Sequence, residues 1–402
     1  MMTVFGWVFA GLGLPVLAAA FYLLLLTLAW RRPTYVQGRQ ARLRFVVLVP
    51  AHNEQGGIAA TVRSLQAIDY PHDLRTIVVL ADNCTDRTAE VARAAGAHVI
   101  ERGEPTRRGK GQALQYGIDR LLMAAEDVPA WDALAVVDAD TTASPNLLHA
   151  LGAHLEAGMS AVQAAYLPSP DRSGPMAVIT NVGFTAFHLV RSAARERCGL
   201  SCGLRGNGMA FRRELLRRVP HAAFSRTEDL EFGILLGLEG VRVAFAGDTC
   251  VYGEMPEQRD VVAVQRERWI GGRAAIARRF GGALVRGAVT RRSLMLADLA
   301  CDLFVPPLSL LTLASGAGCA VSLVLVAGTG AFVPAALIWC AAFAALGVHV
   351  SHAACIAGQG QAFLRAAGRI PRYAIGRGIT AVRALRRTDD TWVRTQRTGE
   401  GL

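Results

Sequence analysis

The chain has 402 residues, 52% of them hydrophobic, a mean hydropathy of +0.30 and a formal net charge of +11. Such length buries at least one large core, and such hydropathy is high for a soluble protein. The basic balance does not mark nucleic-acid binding, because the arginines cluster beside apolar runs and no nucleic-acid motif is present.

Residues 1–30 contain no Asp, Glu, Lys or Arg. A spanning helix needs about 20 apolar residues, so this run holds one span. A cleaved signal peptide is the alternative, but the run lacks a basic n-region, and Ala18-Ala19-Ala20 leads into more apolar sequence. An uncleaved anchor is expected. Arg31, Arg32, Arg39, Arg42 and Arg44 follow as a basic linker at 31–44, and positive flanks stay cytoplasmic.

From residue 45 strand-like and helix-like stretches alternate. Phe45–Val49 reads as a buried strand ending in Pro50-Ala51-His52-Asn53-Glu54, with a helical pattern through Ile58, Val62 and Leu65. Thr76–Leu80 is a second strand, ending in Ala81-Asp82-Asn83-Cys84-Thr85-Asp86, with a helix over 88–95. His98–Ile100 is a short third strand, Lys110–Leu122 a helix, and Ala133–Val137 a further strand ending in Asp138-Ala139-Asp140. Strands joined by crossover helices imply a parallel sheet with helices on both faces. Ligands bind such sheets outside the carboxyl ends of the strands, where Glu54, Asp82, Asp138 and Asp140 gather. No glycine-rich dinucleotide or P-loop motif follows the first strand.

Asp138 and Asp140 are alternate residues of an extended segment. Both carboxylates can reach one hard cation and leave positions for diphosphate oxygens, the arrangement that Mg2+ and Mn2+ prefer. A solvated turn or cap before Thr141 and Thr142 is the other reading. Thr227-Glu228-Asp229 precedes an apolar helical stretch, so Thr227 is either a plain N-cap or the neighbour of a general base, Asp229, for an acceptor hydroxyl. Gln265-Arg266-Glu267-Arg268-Trp269 puts Gln265 and Arg268 on one helical face. It reads as a donor-diphosphate contact with a Trp platform for a sugar, or as a basic amphipathic helix at a membrane surface. Lys110, within Arg108-Gly109-Lys110-Gly111, contacts phosphate, shields the donor pocket or lies in a solvated turn. Leu204-Arg205-Gly206-Asn207-Gly208 is a tight turn that permits close backbone approach to a ligand. His52, His349 and His352 read as packed or interfacial histidines, and the eight cysteines show no zinc spacing.

Taken in order, PAHNE at 50–54, ADNCTD at 81–86, RGKG at 108–111, DAD at 138–140, LRGNG at 204–208, TED at 227–229 and QRERW at 265–269 resemble the inverting glycosyltransferases of family 2. The resemblance covers roughly residues 45–285. It implies an α/β, glycosyltransferase A-type, mostly parallel sheet with flanking helices; the apolar runs add about three transmembrane helices and amphipathic interface helices. It further implies that Glu54 and Asp82 hold the nucleoside of a UDP-sugar and that Asp140 takes Mg2+ or Mn2+, with Asp138 supporting the donor. Asp229 would be the base, and Gln265, Arg268 and Trp269 would line the junction of donor diphosphate and acceptor. The QxxRW pattern is similar to that of polysaccharide synthases and of ceramide-glucosyltransferase-like enzymes.

Residues 303–364 form a second run without Asp, Glu, Lys or Arg, enough for two spans, with Ala327–Val333 as an external hairpin. An interfacial segment at 286–302 precedes it and a basic cytoplasmic tail at 365–402 follows. One span before the catalytic domain and two after it are few for a private polymer channel. Transfer of a hexose or N-acetylhexosamine to a lipid-linked or glycolipid acceptor is therefore expected, in a bacterial inner membrane with the catalytic domain cytoplasmic. Processive extension of a glycan, or an inactive scaffold that keeps a nucleotide-sugar pocket, are the alternatives. The tail segment 392–397 is similar to that of some bacterial membrane members, and export or assembly partners are not legible.

Overall fold

The computed structural model describes residues 2–33, 41–123, 128–170, 173–254, 259–330 and 332–386. Arg39 of the basic linker, and the tail from residue 387 including 392–397, lie outside them. The chain divides into two compact units, one of residues 1–31, 171–198 and 304–387, the other of residues 32–170, 199–303 and 388–402.

The second unit carries an eight-stranded sheet. Its strands are β1 (Phe45–Ala51), β2 (Arg75–Asp82), β3 (His98–Arg102), β4 (Ala133–Val136), β5 (Thr141–Ala143), β6 (Ala161–Pro168), β7 (Met209–Arg212) and β8 (Val243–Gly253), in the spatial order β3-β2-β1-β4-β7-β6-β8-β5. The pairs β1–β2, β1–β4, β2–β3 and β6–β8 are parallel, while β7 runs antiparallel to β4 and β6, and β5 runs antiparallel to β8. The sheet is thus mostly parallel, with β7 reversed at its centre. Burial on both faces explains the unbroken apolar runs: Phe45 to Val49 and Ala133 to Val136 are each 1% exposed or less.

Helix Ile58–Gln66 buries Ile58, Thr61, Val62 and Leu65, an i, i+3, i+4, i+7 stripe, against β1 and β2 side chains in the main core. Helix Lys110–Met123 buries Leu114, Ile118 and Leu121, and its Gly117 lets Leu48 and Leu80 approach closely. Helices Glu228–Leu238, Arg259–Thr290 and Leu294–Phe304 share a second apolar cluster of Ile234, Ile276, Leu284, Leu296, Leu299 and Leu303.

The first unit is helical. Three helices among the described residues are long and apolar enough to cross a membrane: Gly6–Ala29, Leu308–Thr329 and Val333–Ile356. Small residues bring them together: a Cβ added at Gly13 would fall 2.8 Å from Ile338, and Phe9 stacks on Trp339 with ring centroids 5.5 Å apart. Thr27 Oγ1 and His349 Nδ1 lie 2.7 Å apart, so His349 is a packed histidine, and His352 meets Trp30 edge to face. The connection between the last two spans is short, with Gly330 and Phe332 both at positive φ. Residues 175–197, read from sequence as part of one continuous domain, form helices Pro175–Phe184 and Arg191–Arg197 around a π-helical turn at Thr185–Val190 and pack within this unit.

Candidate functional site

The loops after β1 and β2 are tied together. Asn53, at φ 56, accepts at Oδ1 from the Thr85 N–H at 2.7 Å. The Glu54 N–H donates to Thr88 Oγ1 at 2.7 Å, and the Gln55 N–H donates to Asp86 Oδ2 at 3.2 Å. His52 Nδ1 lies 2.7 Å from the Asp82 carbonyl oxygen. Glu54 and Asp82 are therefore fixed at neighbouring strand ends.

Asp82 is bound by a residue that the sequence does not flag. Arg102, at the end of β3 and with its side chain 1% exposed, donates to Asp82 Oδ1 at 2.7 Å, to Glu104 at 3.0 Å and to the Arg107 carbonyl at 2.7 Å. Burial raises the Asp82 carboxyl, and Arg102 works against that rise.

Beyond β4, Ala139 is buried while Asp138 and Asp140 on either side are half-buried, the alternation expected of an extended segment. The Asp138 N–H donates to Asn207 Oδ1 at 3.1 Å, and Asn207 in turn donates to Thr141 Oγ1 at 2.8 Å. Gln163 of β6 donates to the Asn207 carbonyl at 2.7 Å and accepts from the Arg205 N–H at 2.8 Å. The glycine-rich turn at 204–208 is thereby sewn to the β4 end. Gly206 (φ +80) and Gly208 (φ +69) hold conformations that L side chains rarely adopt, and a Cβ at Gly206 would stand 3.2 Å from Asp229 Oδ2.

Lys110, the first residue of its helix, joins these parts. Its ammonium forms an ion pair with Asp138, donates to the Gly206 carbonyl at 2.6 Å and lies 3.9 Å from Glu228 Oε1. Burial works to lower this ammonium, but Asp138, Glu228 and Asp229 outweigh it and leave its pKa raised. A solvated turn is excluded for this residue. The next residue, Gly111, faces the backbone of Ala223 so closely that an added Cβ would overlap its carbonyl oxygen. Gly111→Ala is expected to lower stability by about 2 kcal/mol, because backbone rather than a flexible side chain would have to move. Thermal unfolding of the purified variant checks this, and an unchanged midpoint would contradict it.

Glu228 and Asp229 open helix Glu228–Leu238. Thr227 sits at the N-cap position but makes no capping bond. Gly272 of the long helix presses on it, a Cβ there falling 2.7 Å from Thr227 Cγ2, and its hydroxyl is buried without a hydrogen-bond partner among the described residues. The plain N-cap reading of Thr227 is thus corrected: packing, not capping, sets its place. Burial pushes Glu228 up to about 7, with Lys110 and Arg268 opposing and Asp229 adding to the rise. Burial also raises Asp229, against the Leu230 backbone, Lys110 and Arg205.

Gln265, Arg268 and Trp269 lie on helix Arg259–Thr290, all partly buried. The Arg268 Nε is buried with no hydrogen-bond partner among the described residues. Tyr166 of β6 reports where these groups converge. Burial and the charges of Asp140, Asp138 and Asp229 push its phenol well above the usual range, while Arg268 lowers it. One phenol therefore senses all three aspartates and the arginine. Asp138, Asp140, Asp229, Lys110 and Arg268 lie near one another at the β4 end of the sheet, whereas Glu54 and Asp82 stand one and two strands away along the same sheet edge. Tyr166, Glu228, Arg205 and Arg102 are the site residues that the sequence reading lacked.

An all-oxygen set of Asp138 and Asp140 suits Mg2+ or Mn2+, which bind through one or two carboxylates plus substrate phosphates. Among the described residues no group of three or more His, Cys, Asp and Glu is placed to form a cage made of protein alone.

The family model described as "Glycosyltransferase like family 2" matches residues 42–272. A probable glycosyltransferase, YdaM, of Bacillus subtilis is 25% identical over 243 residues, 58% of this chain and 56% of that protein. A beta-monoglucosyldiacylglycerol synthase of Nostoc sp. is 27% identical over 262 residues, 61% of this chain and 53% of that protein. The chain thus spans about half the length of these curated relatives. Among solved structures, the mannosyltransferase PcManGT from Pyrobaculum calidifontis in complex with GDP-Man and Mn2+ is 20% identical. It has a TM-score of 0.53 and covers 90% of this chain and 98% of that one, a likeness of fold.

Proposed function

From a chain that belongs to glycosyltransferase family 2, we propose an inverting enzyme that moves a hexose or N-acetylhexosamine from a UDP-sugar to a lipid-linked or glycolipid acceptor. The observation that carries this reading is the gathering of Asp138, Asp140, Asp229 and Arg268 around Tyr166, with the Lys110 ammonium paired to Asp138 and bonded to the Gly206 carbonyl beside them. The likeness to a beta-monoglucosyldiacylglycerol synthase, whose named product is a glycolipid, supports a lipid acceptor, as do the apolar helices that precede and follow the domain in sequence.

In this reading Glu54 and Asp82 line the nucleoside end, with Asp82 held rigid by Arg102. Asp140, with Asp138 beside it, holds Mg2+ or Mn2+, which when bound neutralises charge on the leaving diphosphate. Arg268 offers its unpartnered Nε to the same phosphates, with Gln265 on the helical turn before it. Trp269 gives an apolar face for a sugar ring. Asp229 accepts the proton of the acceptor hydroxyl as that oxygen attacks the anomeric carbon from the face opposite the leaving group. Burial of the Glu228–Asp229 pair, with Lys110 close by, brings a carboxylate towards the pH at which proton transfer is most effective. The basic flanks at 31–44 and 365–386 favour a cytoplasmic catalytic unit, in a bacterial inner membrane.

Glu228 is pushed up to about 7 and Asp229 is also raised by burial, so the pair gains protons as pH falls. Once Asp229 itself is protonated it cannot take the acceptor's proton, so kcat/KM is expected to fall on the acid side. Glu228→Gln removes a negative neighbour of Asp229, and the acid limb should move down by roughly one pH unit. A pH–rate profile with the limb unmoved would count against Asp229 as the base.

Radiolabelled nucleotide-sugars supplied with Mn2+ to membranes containing the protein test the activity itself. Label from a UDP-sugar, and one added sugar per molecule in the lipid-extractable fraction, is the expected result. A ladder of products would favour a processive synthase. No transfer from any nucleotide-sugar would return the inactive scaffold.

A further inference from the structure

The Lys110 ammonium sits where it competes with a cation. It bonds to the Asp138 carboxylate and the Gly206 carbonyl, and Glu228 Oε1 lies 3.9 Å away. One of these, Asp138, is also half of the carboxylate pair assigned above to Mg2+ or Mn2+. A divalent ion and an ammonium cannot share one carboxylate edge without strong repulsion.

Of the two partners, the lysine has the longer and more mobile side chain. The Asp138 backbone is pinned by Asn207. The start of the Lys110 helix is pinned by Gly111 against Ala223. The lysine side chain, a flexible four-carbon stem, is the movable part. A shift of about 1 Å would bring its nitrogen from 3.9 Å to hydrogen-bond distance of Glu228. Glu228, with its side chain 13% exposed and no other ion pair among the described residues, has the charge to receive it.

We propose that Lys110 is an internal counter-ion that neutralises Asp138 in the donor-free protein and passes to Glu228 when a divalent cation binds. Lys110 and Glu228 are then positioning residues that set how readily the site takes its cation, and Glu228 is not a ligand. This inference rests on the reading of Asp138 and Asp140 as the cation site.

The test is Mn2+ binding to the full-length chain in detergent without nucleotide, followed by the electron paramagnetic resonance of free Mn2+. Lys110→Met removes the competing charge and should tighten Mn2+ binding roughly tenfold, as loss of a like charge does elsewhere. Glu228→Gln removes the alternative resting place and should weaken it several-fold. The double variant should bind like Lys110→Met alone, because there is then no ammonium to relocate. Misfolding cannot imitate a gain in affinity or that cancellation. Unchanged or weaker binding in Lys110→Met, or a Glu228→Gln loss that persists in the double variant, would overturn the proposal. Asp140→Asn separates the two levels: if it leaves wild-type Mn2+ affinity intact, the cation-site reading itself fails.

Discussion

Asp229→Asn is expected to lower kcat about a thousandfold or more while leaving the donor KM within a few-fold of wild type. Asparagine has the shape of aspartate, so the tight approach of Gly206, whose added Cβ would stand 3.2 Å from Asp229 Oδ2, is kept. What it lacks is a lone pair basic enough to accept the acceptor proton, and general-base catalysis contributes roughly 10²–10⁴ in rate. Asp229 senses Lys110 and Arg205, so the variant also changes the local charge by one unit. Tightened binding of the anionic donor is the accompanying sign. Release of UDP, measured with saturating sugar donor and Mn2+, reads both quantities. A variant retaining more than about a tenth of wild-type turnover would remove Asp229 from the role of base.

Arg102→Met is expected to destabilise the protein by about 3–5 kcal/mol, the usual result of removing one partner of a buried ion pair. The arginine is 1% exposed and makes charge-assisted bonds to Asp82 and Glu104, plus one to the Arg107 carbonyl. Without it the Asp82 carboxylate is left in the interior with, among the described residues, the Asn83 amide donating to it at 2.9 Å. Burial already raises this carboxyl above its ordinary value with Arg102 present, and without the guanidinium it rises further. A carboxyl whose folded pKa lies above its unfolded one is best tolerated at low pH, and its stabilising protonated form is lost as pH rises through the folded pKa. The deficit of Arg102→Met relative to wild type should therefore shrink on going from pH 8 to pH 5. Thermal melts at the two pH values test this, with a fall of roughly 10 °C at neutral pH. A fall of only one or two degrees, or a deficit that grows on acidification, would contradict the role assigned to the pair.

The strand ends of β1, β2 and β4 were legible because buried parallel strands leave unbroken apolar runs, and the polar residues that interrupt them mark the sheet edge. Asp138 and Asp140 were readable for the same reason, since an extended segment must alternate. Arg102 was not. It ends the sequence His-Val-Ile-Glu-Arg, in which Glu101 beside it is exposed, and nothing local says that the arginine points inward. Tyr166 sits within a mainly apolar strand, and it gains meaning only because β6 runs beside β8, whose Gly253 lets its ring approach. The reversal of β7 is equally non-local, because a four-residue strand carries no mark of the direction in which it pairs. Helices Pro175–Phe184 and Arg191–Arg197 are each too short to read as spans, so they were merged into the soluble domain, although their packing partners are the apolar helices.

An anomalous-scattering map of crystals grown with Mn2+ and UDP addresses the carboxylate site most directly. The manganese peak is expected about 2.1 Å from an Asp140 carboxylate oxygen, with the diphosphate between it and Arg268 and with Asp82 beside the nucleoside. A peak held away from Asp138 and Asp140, or UDP bound at another edge of the sheet, would contradict the assignment of donor, cation and base to this cleft.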